Sequence, residues 1–330
     1  MDPSIVTEAA KRFGTEPAAL TPLAGGHVSA VYAFEEGGKT RVLRIIPPHA
    51  EIRLQDVRAI QAWVRYLAAH GAPVPRPLQT HAGQDIVTIR VGNDVYCAVA
   101  QEKARGIRAE TLSQSAWSGD YFYQIGATAA RLHAATRAYV PPAALRRPEV
   151  LEVGDLFSRR QAMSPTIRAH KDRVLSAIEA LPRDAAHFGM IHGDFHFGNF
   201  FVDVEDDYAV TVFDFDDCGY GWHMMDTATL VFDVLVLYDG ADRDAFAAHF
   251  LEAYLSGYQS IRTIEPFWLA KLPHFLKLLE ISYYALLAPA YSDEDEDPWV
   301  QRFMPGRQAR VEADTPYLGF DPTKLLPQRA

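Results

Sequence analysis

Cysteine is nearly absent from this sequence of 330 residues: Cys97 and Cys218 are the only two. No paired spacing joins them, which excludes a disulfide framework and a cysteine-built zinc site. A surplus of positive charge is missing as well. Lys and Arg number 32 against 42 Asp and Glu, a net charge of -10, so a role driven by nucleic-acid backbone binding is excluded. Long apolar runs are also lacking. The stretches around Thr227–Tyr238 and Ile281–Tyr291 are short of a membrane span, and Asp233 interrupts the first. The opening Met1-Asp-Pro-Ser-Ile-Val-Thr-Glu carries early acids and no apolar stretch. Neither a signal peptide nor a membrane partner is therefore expected, and the cytoplasm is the expected location.

What is present describes an ordinary globular protein, 48% hydrophobic and 22% charged, long enough for one large or two medium domains. Its first hundred residues read as a small sheet with one long helix. Ser4–Phe13 is a short helix, Val28–Ile46 a hairpin, and Asp85–Arg90 with Val95–Gln101 a second hairpin. Between them Val57, Ile60, Val64 and Leu67 recur at helical spacing, predicting a helix over Glu51–His70 that Gly71 and Pro73 end. Beyond Gly106 the pattern turns helical. Helices are expected over Trp117–Arg137, Leu151–Leu181, Trp222–Tyr238, Asp244–Tyr258 and Phe267–Ala288. The division expected is residues 1–103 and residues 104–330.

Met190–Gly219 concentrates the chemistry. His192, Asp194, His196, Asn199, Asp214, Asp216 and Asp217 stand there among aromatic and β-branched neighbours. Carboxylates so placed are costly to desolvate without a partner, and the cluster asks for a divalent metal with oxygen ligands. Gly193 and Gly198 suit a tight loop rather than the helix that a His192–His196 zinc site needs. Asp194-x-x-x-x-Asn199, followed by Asp214 after the apolar run Val210–Phe213, is the spacing used in phosphoryl transfer from ATP. On an extended segment Asp214 and Asp216 would face one way, making Asp216 a further metal candidate ahead of Asp217. Upstream, Gly25-Gly26-His27-Val28-Ser29 either brings backbone N–H groups to phosphate oxygens or is a plain hairpin turn. Its place before the strand bearing Arg44 favours the former.

His192-Gly-Asp-Phe-His-Phe-Gly-Asn199 and Phe213-Asp-Phe-Asp216 resemble the aminoglycoside phosphotransferase and choline kinase-like family, which also includes stress-response kinase-like and homoserine kinase-like members. The resemblance implies an α+β, protein-kinase-like two-lobed fold, with a nucleotide lobe over 1–103 and a catalytic and substrate lobe over 104–330. It implies ATP and Mg2+ as cofactors, Asp194 as catalytic base, and Asn199 and Asp214 as metal ligands. It places Arg44 where the family carries Lys or Arg on the phosphates, beside Gly25, Gly26 and Ser29. It also implies adenine binding by backbone groups of Gln101, Glu102 and Lys103, and a bracing role for Asp226. His192 is expected to pack and hydrogen-bond; His196 either lines the substrate site or supports a neighbour.

One departure stands out. Kinase-like sites pair the strand cation with a Glu on the following helix, and Ile60 occupies that position here. Asp56 or Gln61 substitutes, or the pair is absent. The expected activity is phosphoryl transfer to a hydroxyl of a small metabolite, with a protein Ser/Thr acceptor as the alternative. Two other classes compete. Val212-Phe-Asp-Phe-Asp216 imitates the Asp-x-Asp strand of haloacid-dehalogenase-type phosphatases, but the following helices do not alternate with strands. Ile60 suggests a nucleotide binder without catalysis, which the complete set Asp194, Asn199 and Asp214 argues against. The acid run Asp293–Asp297 is a solvated loop or attracts a cationic substrate.

Overall fold

The computed structural model describes residues 1–23, 29–50, 52–152, 156–158, 161, 163–292 and 294–326. Its contacts divide into two compact units: Met1–Arg105 with Tyr139–Arg147 and Thr211–Asp216, and Gly106–Ala138 with Pro148–Val210 and Asp217–Ala330.

The first unit opens with α1 (Pro3–Arg12), capped by the Asp2 side chain on the Ser4 N–H. Strands β1 (Thr21–Pro22), β2 (Ala30–Glu36) and β3 (Lys39–Ile46) follow, then α2 (Leu54–Ala69) and strands β4 (Pro77–Leu78), β5 (Val87–Val91) and β6 (Asp94–Glu102). The sheet runs β1-β2-β3-β6-β4, with β5 also on β6, and its pairs are antiparallel. Side chains alternate across such a sheet. Leu43, Ile45, Ala98 and Ala100 therefore join Ile5 and Ala9 of α1, and Phe13 at its C-terminal cap, in one core. Ile46, Cys97 and Val99 instead meet Val57 of α2 in another. Arg44 lies on β3 opposite Val99 in the register, so alternation assigns it to the α2 face.

The second unit begins with β7 (Ile107–Arg108), α3 (Gly119–Thr136) and α4 (Pro165–Glu179), followed by β8 (Phe188–Ile191) and β9 (Phe200–Asp203). Strand β10 (Ala209–Val212) carries the chain on to β11 (Gly219–Trp222). Strand β7 pairs with β9 and β8 with β11, both antiparallel. The motif residues 192–199 thus connect strands of two different small sheets, not the arms of one hairpin. Then come α5 (His223–Leu237), α6 (Arg243–Gln259), α7 (Pro266–Leu269), α8 (Leu272–Leu287), α9 (Pro298–Phe303) and α10 (Arg307–Glu312). Helix α5 buries 14 of its 15 residues, the mark of a central helix. Helices α3 and α6 cross at two glycines. A Cβ on Gly126 would stand 1.9 Å from the Tyr254 carbonyl oxygen, and one on Gly257 1.9 Å from that of Tyr123.

Two helix expectations change. The helix expected from Leu151 starts at Pro165, where Ser164 caps the Ile167 N–H and proline fixes the first turn. The helix expected over Phe267–Ala288 is divided into α7 and α8, with Pro273 in the first turn of the second. Among the described residues no helix is long and apolar enough to cross a membrane.

Candidate active site

In the second unit the loop after β8 is held from beneath by α5. The Asp226 carboxylate, 1% exposed, accepts the N–H groups of His192 at 3.0 Å and Gly193 at 2.9 Å. His133 of α3 meets the same carboxylate at 3.2 Å. Burial pushes Asp226 up to about 6, although His192 and the two N–H groups work against it. Gly193 is at φ +83, and a Cβ there would meet the Asp217 carbonyl oxygen at 2.4 Å, so the close turn requires glycine. His192 is fully buried, and its Nδ1 accepts the Asp194 N–H at 3.3 Å. The histidine packs and hydrogen-bonds as its neighbours demand.

Asp194 stands at the turn, its side chain one-third exposed. Burial works to raise its carboxyl. The hydrogen bond and charge of His196, with His192 and Asn199, more than offset this and hold it below the usual carboxylate range. Asn199 Nδ2 donates to the Asp194 backbone oxygen and to Oδ2, both at 2.9 Å. Its amide nitrogen is thereby committed, and Oδ1 is the atom it offers elsewhere.

His196 Nε2 lies 3.1 Å from Asp194 Oδ2, and Nδ1 accepts the Gly198 N–H at 3.1 Å. Burial resists charging this ring, but Asp194, Asp233 and Glu110 raise it to about 9. The Gly198 N–H opposes that rise, because a protonated Nδ1 accepts nothing. The heavy-atom geometry is that of an Nε2–H donating to Asp194. His196 thus supports Asp194 directly.

Sequence reasoning missed Asp233, seven residues beyond Asp226 and about two turns further along α5. Its Oδ2 accepts the Phe197 N–H at 3.3 Å and its Oδ1 the Trp299 indole N–H at 3.0 Å. The signal was present: an acid within Leu230–Val236, an otherwise apolar run, needs a buried partner. Asp226 and Asp233 together fasten the loop on both sides of Asp194. Near them burial raises the Tyr283 phenol, and Asp194, Asp233 and Asp217 raise it further.

In the first unit Gly25 and Gly26 lie outside the described residues. Ser29 Oγ accepts from Arg44 Nε at 3.1 Å. Arg44 forks onto the Asp216 carboxylate, Nη1 reaching Oδ1 at 2.8 Å and Nη2 reaching Oδ2. Asp214 Oδ1 lies 3.8 Å from Nη1. Strand β10 has ended by Val212, and Asp214 is left-handed at φ 61. The extended segment on which Asp214 and Asp216 would face one way is thus replaced by a turn, and Asp216 spends its carboxylate on Arg44. Asp56 does not replace the absent Glu on Arg44: it meets Arg53 and Arg147, each at 2.9 Å. Gln61 Oε1 is buried without a hydrogen-bond partner among the described residues.

Gln101 and Glu102 close β6, and Lys103 follows. The Glu102 N–H donates to the Arg76 oxygen at 2.9 Å and the Lys103 N–H to the Thr40 oxygen at 3.2 Å. The Glu102 carboxylate pairs with Arg41 at 2.9 Å. Two backbone donors of the expected adenine segment are therefore occupied within the sheet.

Asn199 and Asp214 each carry an oxygen donor of the hard kind that magnesium takes. No group of three or more His, Cys, Asp or Glu able to hold a metal exists among the described residues. The α+β, protein-kinase-like fold and its Asp194–Asn199 loop are those of a phosphotransferase. The model of the phosphotransferase enzyme family matches residues 19–264, and the chain belongs to that family.

Among its relatives, amicoumacin kinase of Bacillus subtilis (strain 168) is 29% identical over 331 residues, spanning 98% of this chain and 95% of its own. A solved structure of amicoumacin kinase hAmiN in complex with AMP-PNP, Ca2+ and Ami superposes with a TM-score of 0.85 at 26% identity. It covers 99% of this chain and 98% of its own. The structure of a microcompartment-associated aminopropanol kinase shares the fold, with a TM-score of 0.74 at 21% identity over 98% of this chain and 100% of its own.

Proposed function

We propose that this phosphotransferase moves the γ-phosphate of ATP, with Mg2+, onto a hydroxyl group of a small molecule in the cytoplasm, where ATP is available. The observation that carries this reading is the pairing of Asp194 with Asn199. The Asn199 amide nitrogen holds the Asp194 carboxylate in place and leaves Oδ1 for another partner. Asp194, kept ionised by His196, accepts the proton of the attacking hydroxyl. Asn199 and Asp214 are the metal ligands, with Asp216 a further carboxylate whose first duty is to orient Arg44. When bound, Mg2+ neutralises charge on the phosphates. Arg44 and Ser29, with Gly25 and Gly26, serve those phosphates, and Arg44 does so through a planar fork rather than a point charge. Residues 1–103 form the nucleotide lobe and residues 104–330 the catalytic and substrate lobe. At the adenine, Gln101, Glu102 and Lys103 contribute carbonyl oxygens, because the Glu102 and Lys103 N–H groups are already engaged.

The full-length match to amicoumacin kinase supports a small-molecule acceptor. The test is ADP release in the presence of Mg2+ against amicoumacin, amino alcohols, homoserine, choline, aminoglycosides and a generic Ser/Thr protein. Turnover is expected with a small hydroxyl compound. Turnover confined to the protein acceptor, or none with any nucleotide, contradicts the reading.

A further inference from the structure

Kinase-like chemistry needs the strand cation and the metal-binding turn fixed together, and the helix carboxylate that would fix the cation is Ile60 here. The first unit holds a different arrangement. Arg147, in the segment Tyr139–Arg147, has a side chain only 7% exposed. Its Nη1 meets Asp56 of α2 at 2.9 Å, and its Nη2 donates to the Asp216 backbone oxygen at 2.8 Å. Asp216 in turn grips Arg44 through both carboxylate oxygens. A continuous chain of charge-assisted hydrogen bonds therefore runs Asp56–Arg147–Asp216–Arg44, from α2 through the turn to β3.

Packing repeats the connection. Gln55 Nε2 donates to the Ala144 oxygen at 2.7 Å, and Tyr66 packs on Tyr139 with centroids 4.9 Å apart. Trp63 of α2 meets Phe215 edge-on at 5.5 Å. The left-handed Asp214 sits inside this frame. A non-glycine residue persists there only when its surroundings over-determine it.

We propose that Arg147 is a positioning residue for phosphoryl transfer, tying α2 to the Phe213–Asp216 turn in place of a helix carboxylate on Arg44. It touches neither nucleotide nor acceptor. It fixes the Asp216 backbone, which sets the carboxylate that orients Arg44 and the turn that presents Asp214. The guanidinium matters because one rigid fork reaches a carboxylate and a carbonyl at once; a lysine ammonium has no such fork. The inference rests on the nucleotide and metal roles given above for Arg44 and Asp214.

The experiment uses the full chain and two readouts: calorimetric binding of AMP-PNP with Mg2+, and ADP release with a turned-over acceptor. Arg147→Ala is expected to weaken AMP-PNP binding by at least about tenfold and to lower kcat, since it cuts the tie between Asp56 and the Asp216 backbone oxygen. Arg147→Lys falls between it and the parent, and Asp56→Asn shifts both readouts in the same direction. Asp56→Asn combined with Arg147→Ala is expected to be no worse than Arg147→Ala alone. Arg53→Ala, which removes the 80% exposed partner of Asp56, stays within about twofold of the parent. Guanidinium ion at low millimolar concentration restores binding to Arg147→Ala. Parent-like binding in both Arg147→Lys and Asp56→Asn, or fully additive losses in the double variant, would overturn the proposal. A parent chain that binds no AMP-PNP removes the functional reading itself, and this inference falls with it.

Discussion

At the scale of single residues, the site is a set of polar groups each given more than one duty. Asp194 is held by Asn199 and His196, His192 accepts the Asp194 N–H, and Asp233 takes the N–H that leads into Phe197–Asn199. Asp233→Asn gives that carboxylate site one acceptor and one donor where two N–H groups converge. One of them is left unpaired, at a cost of about 1–3 kcal/mol. Urea unfolding should show that loss, with reduced turnover because Asn199 follows directly; unchanged stability and turnover would contradict the role. The loop that joins Asp194 to Asn199 was legible in the sequence because its spacing is local. Arg147 was not, since an Arg before proline in a connector gives no sign of a partner 91 positions earlier in the chain (147 against 56).

At the scale of elements, most helices and strands followed from periodicity and breakers, and the departures have local causes. Pro165 and Pro273 set helix starts that apolar spacing alone ran through. The contact between α3 and α6 was illegible for another reason: Gly126 and Gly257 look unfavourable within helices until the facing backbones are known. Each lacks a side chain because the other helix occupies that space. Gly126→Ala should therefore destabilise the fold by about 1–3 kcal/mol, as overpacking does, despite alanine's better helix propensity. Thermal denaturation checks this, and a raised melting temperature would refute the close-packing account. The turn at Asp214 belongs here too. An extended reading of Phe213–Asp216 was reasonable from its residues, yet φ 61 at Asp214 redirects it.

At the scale of the whole molecule, the chain's negative balance does not exclude local cation clusters, and one of them closes the C-terminal region. Glu280 of α8 is fully buried and meets Lys277 at 2.5 Å and Arg307 at 2.6 Å. Burial works to raise its carboxyl, but Lys277 and Arg307 hold it below its ordinary value of 4.5. A depressed folded pKa adds stability above the unfolded value that is lost as pH falls through the folded one. Glu280→Gln should accordingly lower the melting temperature at pH 7 and lower it much less near pH 3. An equal loss at both values would show that the ion cluster contributes nothing. Family membership and fold follow from the entire chain, whereas acceptor identity depends on helical faces whose composition carries no local code. Under the proposed function Asp194 takes the acceptor's proton while other residues hold nucleotide and metal. The direct measurement is Asp194→Asn, assayed for AMP-PNP binding with Mg2+ and for ADP release with the active acceptor. Binding within a few-fold of the parent and turnover lowered by about 10²–10⁴ is the predicted result. Turnover close to the parent's, with nucleotide bound normally, would contradict it.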